Sequence, residues 1–253
     1  MKQRFILLLF ILFYHSAYTQ GYEGSPCGIG GNFPKEFLQK KELKDIKVLI
    51  NECMLDGGQL YTSMLKASGK APLSVKDPNF KPPPDWSEAD GDEAYDSWTC
   101  MYSGGRAVDG GSSTAWVEGV EGHGKGELIV ITKLDLSKSL EILSGFGKSQ
   151  ALFVANNRPK TINIHIVRAL PAEGGESQCG TFYAALKIIS TSKVVLKDIN
   201  QFQSLPIPAF KMENYPFQGE QRDYSYWLMI EIIDVYPGTK YNDTCISEIR
   251  NVK

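Results

Sequence analysis

From Ser97 to the end of the chain, five short runs rich in β-branched and aromatic residues follow one another with no long helical pattern between them. They are Glu127–Thr132, Thr161–Val167, Lys193–Leu196, Tyr226–Val235 and Thr244–Ile249, separated by turns rich in Gly, Asn and Pro. Strands in succession, without crossover helices, stack as antiparallel layers, so the expected fold class is all-β, an antiparallel β-sandwich or jelly roll. In the second run Ile162, Ile164 and Ile166 alternate with Thr161, Asn163 and His165. That is the period of a strand with one buried face, and it turns His165 to solvent.

The region before Ser97 reads differently. Lys2 and Arg4 precede an apolar run from Phe5 to Tyr14, and small residues follow. This has the form of a secretory signal, residues 1–20, and ten apolar residues fall short of the roughly 20 that a membrane-spanning helix needs. A secreted or periplasmic protein is expected, with no membrane span. Residues 21–96 form a short mixed or helical region: an amphipathic helix is expected from Pro34 to about Leu49, then a Pro-rich and acidic linker from Ala71 to Asp96. Lys and Arg number 27 against 29 Asp and Glu, a balance that excludes a basic nucleic-acid binder.

Five cysteines follow the signal: Cys27, Cys53, Cys100, Cys179 and Cys245. None forms a C-x-x-C pair, which argues against a zinc ribbon or a thioredoxin-like site. In an exported chain disulfides are permitted, and an odd number leaves at least one thiol unpaired or intermolecular. Cys27 with Cys53 is a plausible bridge within the N-terminal segment. The pairing of the others is open.

Chemistry concentrates between Ala107 and Glu127. Asp109-Gly-x-x-x-Thr114-x-Trp116 places an oxygen-rich loop ahead of a strand, followed by Val117-Glu118-Gly119 and the Gly-rich turn to Glu127. Ser144-Gly-Phe-Gly-Lys148, Asn156-Asn157-Arg158 and the stretch Val235–Ile249 follow in order. Together these motifs resemble the NAD glycohydrolase translocation F5/8 type C domain, also called the NADase-type glycan-binding domain, over residues 97–253. The resemblance implies a discoidin-like, galactose-binding-like β-sandwich exported from bacteria, whose role is glycan binding and translocation. In streptococcal NADases such a domain precedes a catalytic domain, whereas here the sandwich runs to the last residue and the region before it is too short for an NAD-cleaving fold. Lys125 in the Gly-rich turn and the segment from Pro171 to Gly180 depart from the family pattern. The sandwich is expected to bring its first and last strands side by side, with Cys100 near Cys245.

Several side chains are candidates for ligand contact, each with a plainer alternative. Trp116 offers a face for a sugar ring, although a tryptophan at this place more often fills the core. Asn156, Asn157 and Arg158 supply amides and a planar donor fork suited to vicinal hydroxyls or a carboxylate, and are equally good turn chemistry. Glu118 and Glu121 have the residue types of a glycosidase pair, but nothing in the sequence supplies an apolar pocket to raise one pKa, and an acid contacting turn amides is the simpler account of Glu118. The loop from Asp109 to Thr114 supplies the oxygens that Ca²⁺ takes. The resemblance implies a structural Ca²⁺ there, held by Asp109, Ser113 and Thr114 and completed by Glu248 of the last strand. The expected function is a secreted, non-catalytic carbohydrate- or surface-binding protein with a glycan or cell-surface partner. The alternatives are a secreted NAD glycohydrolase or glycosidase, and a purely structural interaction scaffold.

Overall fold

The computed structural model describes residue 27 and residues 33–51, 55, 57–87 and 92–252. The expected signal segment and Cys53 lie outside the described residues. Two antiparallel sheets form the sandwich. The larger has the order β1-β8-β7-β12-β5-β3, with β2 also on β8: β1 is Glu42–Leu43, β2 Val48–Asn51, β3 Leu60–Tyr61, β5 Leu128–Ile131, β7 Arg158–Ser177, β8 Gly180–Val195 and β12 Ser225–Tyr236. The smaller has the order β4-β13-β6-β9, with β4 Trp116–Val117, β6 Leu140–Ser144, β9 Gln203–Ser204 and β13 Cys245–Asn251. β10 (Asn214–Phe217) and β11 (Glu220–Asp223) make a separate hairpin. The first strand of the smaller sheet lies beside the last: Ile246 pairs with Trp116 and Cys245 with Val117.

The isoleucine alternation of β7 has the predicted consequence. Ile162, Ile164 and Ile166 meet Leu228, Ile230 and Ile232 of β12, and Trp116, Ile142 and Ile246 face them from the other sheet, all without solvent exposure. Ile246 and Ile249 both reach this core although three residues apart, which strict alternation forbids. Between them β13 passes from pairing with β4 to pairing with β6, and that break leaves Glu248 buried at the junction.

The opposite face of the larger sheet is not solvent. Leu128, Val130, Val167, Leu186, Trp227 and Met229 form a second core there, covered by Phe33, Phe37 and Ile50 from the N-terminal region. A sheet buried on both faces writes its strands as unbroken apolar runs, as in Leu128–Ile131 and Trp227–Ile230. His165 is consequently not solvent-facing as expected: it is 6% exposed, its Nδ1 is 2.9 Å from the Thr191 hydroxyl, and its Nε2 is 3.4 Å from Glu231. Burial lowers its pKa, and the Glu231 contact opposes that shift.

Two other expectations are corrected. The helix predicted from Pro34 to Leu49 is one turn, α1 (Phe37–Lys40), because Lys41 and Asp45 take left-handed φ of 57° and 54° and the chain then pairs with β8. Its apolar residues still cover the core, but as a strap. The segment from Pro171 to Gly180, which departs from the family pattern, lies in the hairpin of β7 and β8, which continue to Ser177 and from Gly180. Cys27 bonds Cys100, with Cα atoms 5.2 Å apart, rather than Cys53. Cys179 is also disulfide-bonded, and Cys245 is the buried free thiol.

Candidate binding site

At one end of the sandwich, the loop between the 3-10 turn Gly104–Ala107 and β4 meets β13. Asp109 accepts hydrogen bonds from the Gly111 amide at 3.1 Å and from the Thr114 hydroxyl at 2.7 and 2.9 Å, the geometry of an Asx turn. The Gly110 amide donates to Glu248 at 3.1 Å. Burial pushes the Glu248 carboxyl up to about 7, with the amide bond opposing and Asp109 adding to the rise. Two of the expected metal ligands are thus brought together with the hydroxyl of Thr114. Their oxygens suit a hard cation, although Arg106 already pairs with Asp109 at 3.7 Å and several lone pairs face N–H donors. Among the described residues no group of three His, Cys, Asp or Glu is arranged to hold a metal.

Glu118 follows β4 and is fully buried. Its carboxylate accepts from the Thr244 amide at 3.0 Å and the Val120 amide at 2.9 Å, which ties the Gly-rich turn to β13. Gly124, at φ +65°, backs directly onto it, and a Cβ there would stand 2.5 Å from Glu118 Cγ. Burial raises its pKa to about 7, the two amide bonds opposing. The sequence contained no sign of such a shift, yet the raised acid faces main chain rather than an open cleft.

The other candidates are interior as well. Trp116 has no exposure and donates its indole N–H to the Ser63 carbonyl at 3.0 Å. Asn156 ends the helix Gln150–Ala155 by donating to the Leu152 carbonyl at 2.9 Å. Asn157 accepts from the Gly238 amide at 2.6 Å, and its side-chain nitrogen lies 2.9 Å from His123. Arg158, 5% exposed, makes a bidentate pair with Asp198 at 2.9 and 2.8 Å, donates to the Asn156 and Pro237 carbonyls, and stacks over Phe153. None of the five side chains expected to meet a ligand reaches the surface. Each closes loops onto strands instead.

Sequence reasoning missed a different place. Near the β10–β11 hairpin lies an open cavity of about 320 Å³, walled by Leu134, Leu136, Met212, Tyr224 and Tyr226 together with Asp135, Glu213 and Asp223. Tyr226 is held by its hydroxyl, which accepts from the Glu213 amide at 2.6 Å. Tyr224 is held by its ring, with Arg168 stacked 4.5 Å from the centroid and Tyr215 at 4.9 Å. Arg168 also pairs with Glu213. Asp135 accepts from the Ser137 amide at 3.0 Å and pairs with Lys138 at 3.2 Å; the Ser137 hydrogen bonds, reinforced by Lys138, lower its pKa. Rings, carboxylates and apolar side chains therefore line one open cavity, an arrangement that packs a flat apolar face and accepts hydrogen bonds at its edge.

No curated protein sequence matches the chain. Among solved structures, the arabinofuranosyltransferase AftD from mycobacteria aligns at 16% identity over 76% of this chain and 11% of its own, with a TM-score of 0.29. The chain thus spans about a tenth of that protein. The profile of the NAD glycohydrolase translocation F5/8 type C domain matches residues 89–251. That span includes both strands that close the smaller sheet, the loop from Asp109 to Thr114, Glu248, and every residue lining the Tyr224 cavity, and with it the chain belongs to the NAD glycohydrolase translocation F5/8 type C domain family.

Proposed function

We propose that the protein is an exported, non-catalytic module that binds carbohydrate on a surface outside the cell, and that the sugar sits in the Tyr224 cavity. The observation that carries this reading is the cavity itself: tyrosine faces for the apolar side of a pyranose, with carboxylates at the rim to accept from its hydroxyls. The Cys27–Cys100 disulfide supports export, since such bonds persist in oxidising compartments. Among the described residues no helix is long and apolar enough to cross a membrane. A non-catalytic role is supported by Glu118, whose raised carboxyl is held by two main-chain amides rather than facing an open cleft.

Ca²⁺ is proposed as a structural ion at the junction of Asp109, Ser113 and Thr114 with Glu248, where carboxylate and hydroxyl oxygens of the kind it takes are brought to one loop. It would pin a loop to the last strand and perform no chemistry.

A glycan array on the mature protein, beside the Tyr224→Ala variant, tests the carbohydrate reading. Binding that the substitution abolishes is expected. An array blank at every sugar, or full binding by the variant, overturns it. Hydrolysis of NAD or of glycosides by the wild-type protein, lost in Glu118→Gln, would reinstate the enzyme.

A further inference from the structure

Resting on the carbohydrate reading of the Tyr224 cavity, we infer that the sugar it takes carries a free amino group, so that the ligand is a cationic glycan rather than a neutral or acidic one. The cavity wall holds three carboxylates and no lysine or arginine. Two of them are compensated from outside the wall: Glu213 by Arg168, and Asp135 by Lys138 and Ser137. The third, Asp223, ends β11 and pairs through its backbone with Asn214, while among the described residues no side chain or amide partners its carboxylate. It stands next in sequence to Tyr224.

An uncompensated carboxylate beside tyrosine faces selects for positive charge. An ammonium accepts both the ion pair with Asp223 and attraction to the electron-rich ring faces. Arg168 cannot take the place of that cation: it is fixed between Glu213 and the Tyr224 ring. An acidic sugar would bring a fourth negative charge to the wall, and an N-acetylated one would leave Asp223 to its water.

The probes are a glucosamine tetramer and its fully N-acetylated counterpart, titrated calorimetrically into the full chain at pH 6 and at two salt concentrations. The amine tetramer is expected to bind at least about fivefold more tightly, equivalent to about 1 kcal/mol, and that advantage is expected to shrink as salt screens it. Asp223→Asn, at an exposed position that leaves the fold intact by melting temperature, is expected to bring the ratio to one. If the acetylated tetramer binds equally or better, and does so through Tyr224, the carbohydrate reading stands and this inference falls. If neither tetramer binds and the glycan array is blank, both fall. An advantage for the amine that survives Asp223→Asn overturns the assignment of Asp223.

Discussion

Lys35 and Glu127, 92 residues apart in sequence, form an ion pair in which the carboxylate has no exposure while the lysine side chain keeps 51% of its own. The same carboxylate accepts from the hydroxyls of Thr62 and Ser63, and the Ser63 hydroxyl in turn accepts from the Gly119 amide at 3.1 Å. Gly119 is pressed so closely on this segment that a Cβ would stand 2.1 Å from the Met64 carbonyl oxygen. The strap before the family-matched span is therefore bound into the sandwich by charge, by main chain and by the second core.

This makes the N-terminal strap part of the folding unit. A protein beginning at residue 92 would expose Leu128, Val130, Trp227 and Met229, so it is expected to aggregate or to bind a hydrophobic dye. Lys35→Met leaves a buried carboxylate with hydroxyl partners alone and is expected to cost about 2–3 kcal/mol. Glu127→Gln should cost less, and a double-mutant cycle should return a coupling above about 0.5 kcal/mol. Additive effects, or a truncated protein that melts cooperatively like the full chain, would reject the latch.

Two carboxyls make stability fall as pH rises. Glu118 and Glu248 are each pushed from the ordinary glutamate value to about 7 in the fold, so the folded state holds these protons more tightly than the unfolded chain. Their contribution is fully present below about 4.5, the unfolded value, and is lost as pH rises through 7. The melting temperature should therefore be higher at pH 5 than at pH 8. Glu248→Gln should flatten the slope, and a slope of opposite sign in the wild-type protein would refute the assignment.

The Ca²⁺ proposal has its own signature at the same residue. A cation between Asp109 and Glu248 would favour the ionised carboxylate. Millimolar Ca²⁺ is therefore expected to raise the melting temperature at pH 8 more than at pH 5, and Asp109→Ala should remove the rise. Equal melts with Ca²⁺ and EDTA at both pH values would exclude the ion.

How much of this was legible in sequence depends on how local the signal is. The alternation of Ile162, Ile164 and Ile166 is contained in one strand, and the run from Asp109 to Trp116 is contiguous, so β7 and the loop before β4 could be read directly. Strands of two to four residues, such as β1, β2 and β3, carry no period. Their place comes from the edges of β8 and β5, which no local pattern announces. Arg158 shows its donor fork in the sequence but not whether Asp198 and two carbonyls wait to fill it. The Tyr224 cavity is assembled from three separated segments, around Asp135, Glu213 and Asp223, and only the topology joins them.

Cysteine chemistry divides between disulfide-bonded cysteines, Cys27, Cys100 and Cys179, and the sealed thiol of Cys245. Cys27–Cys100 closes a loop with a sequence separation of 73, for which loop-closure entropy gives about 4 kcal/mol. Cys100→Ser should lower the melting temperature by a corresponding margin, and reductant, which also opens the Cys179 bond, by at least as much. Cys245 has no exposure, and burial pushes its thiol well above the ordinary range. It should resist a maleimide in the native protein and react only after unfolding. Rapid native labelling would contradict its burial.

Arg158 and Tyr224 give the decisive contrast between a residue that holds the fold and one proposed to meet a ligand. Arg158 is buried and pairs with Asp198, whose side chain keeps 38% exposure, while also supporting the turn at Pro237. Replacing it with Ala strands the Asn156 and Pro237 carbonyls and removes a bidentate pair, so a loss of about 2–4 kcal/mol is expected. Lysine should not rescue it, since an ammonium cannot match the planar fork. Tyr224 lines the cavity, and Tyr224→Ala should leave the unfolding free energy within about 1 kcal/mol of wild type while abolishing glycan binding. If Arg158→Ala, measured well below its melting temperature, loses glycan binding and Tyr224→Ala keeps it, the ligand sits at the Asn156–Arg158 loop and the cavity assignment is wrong.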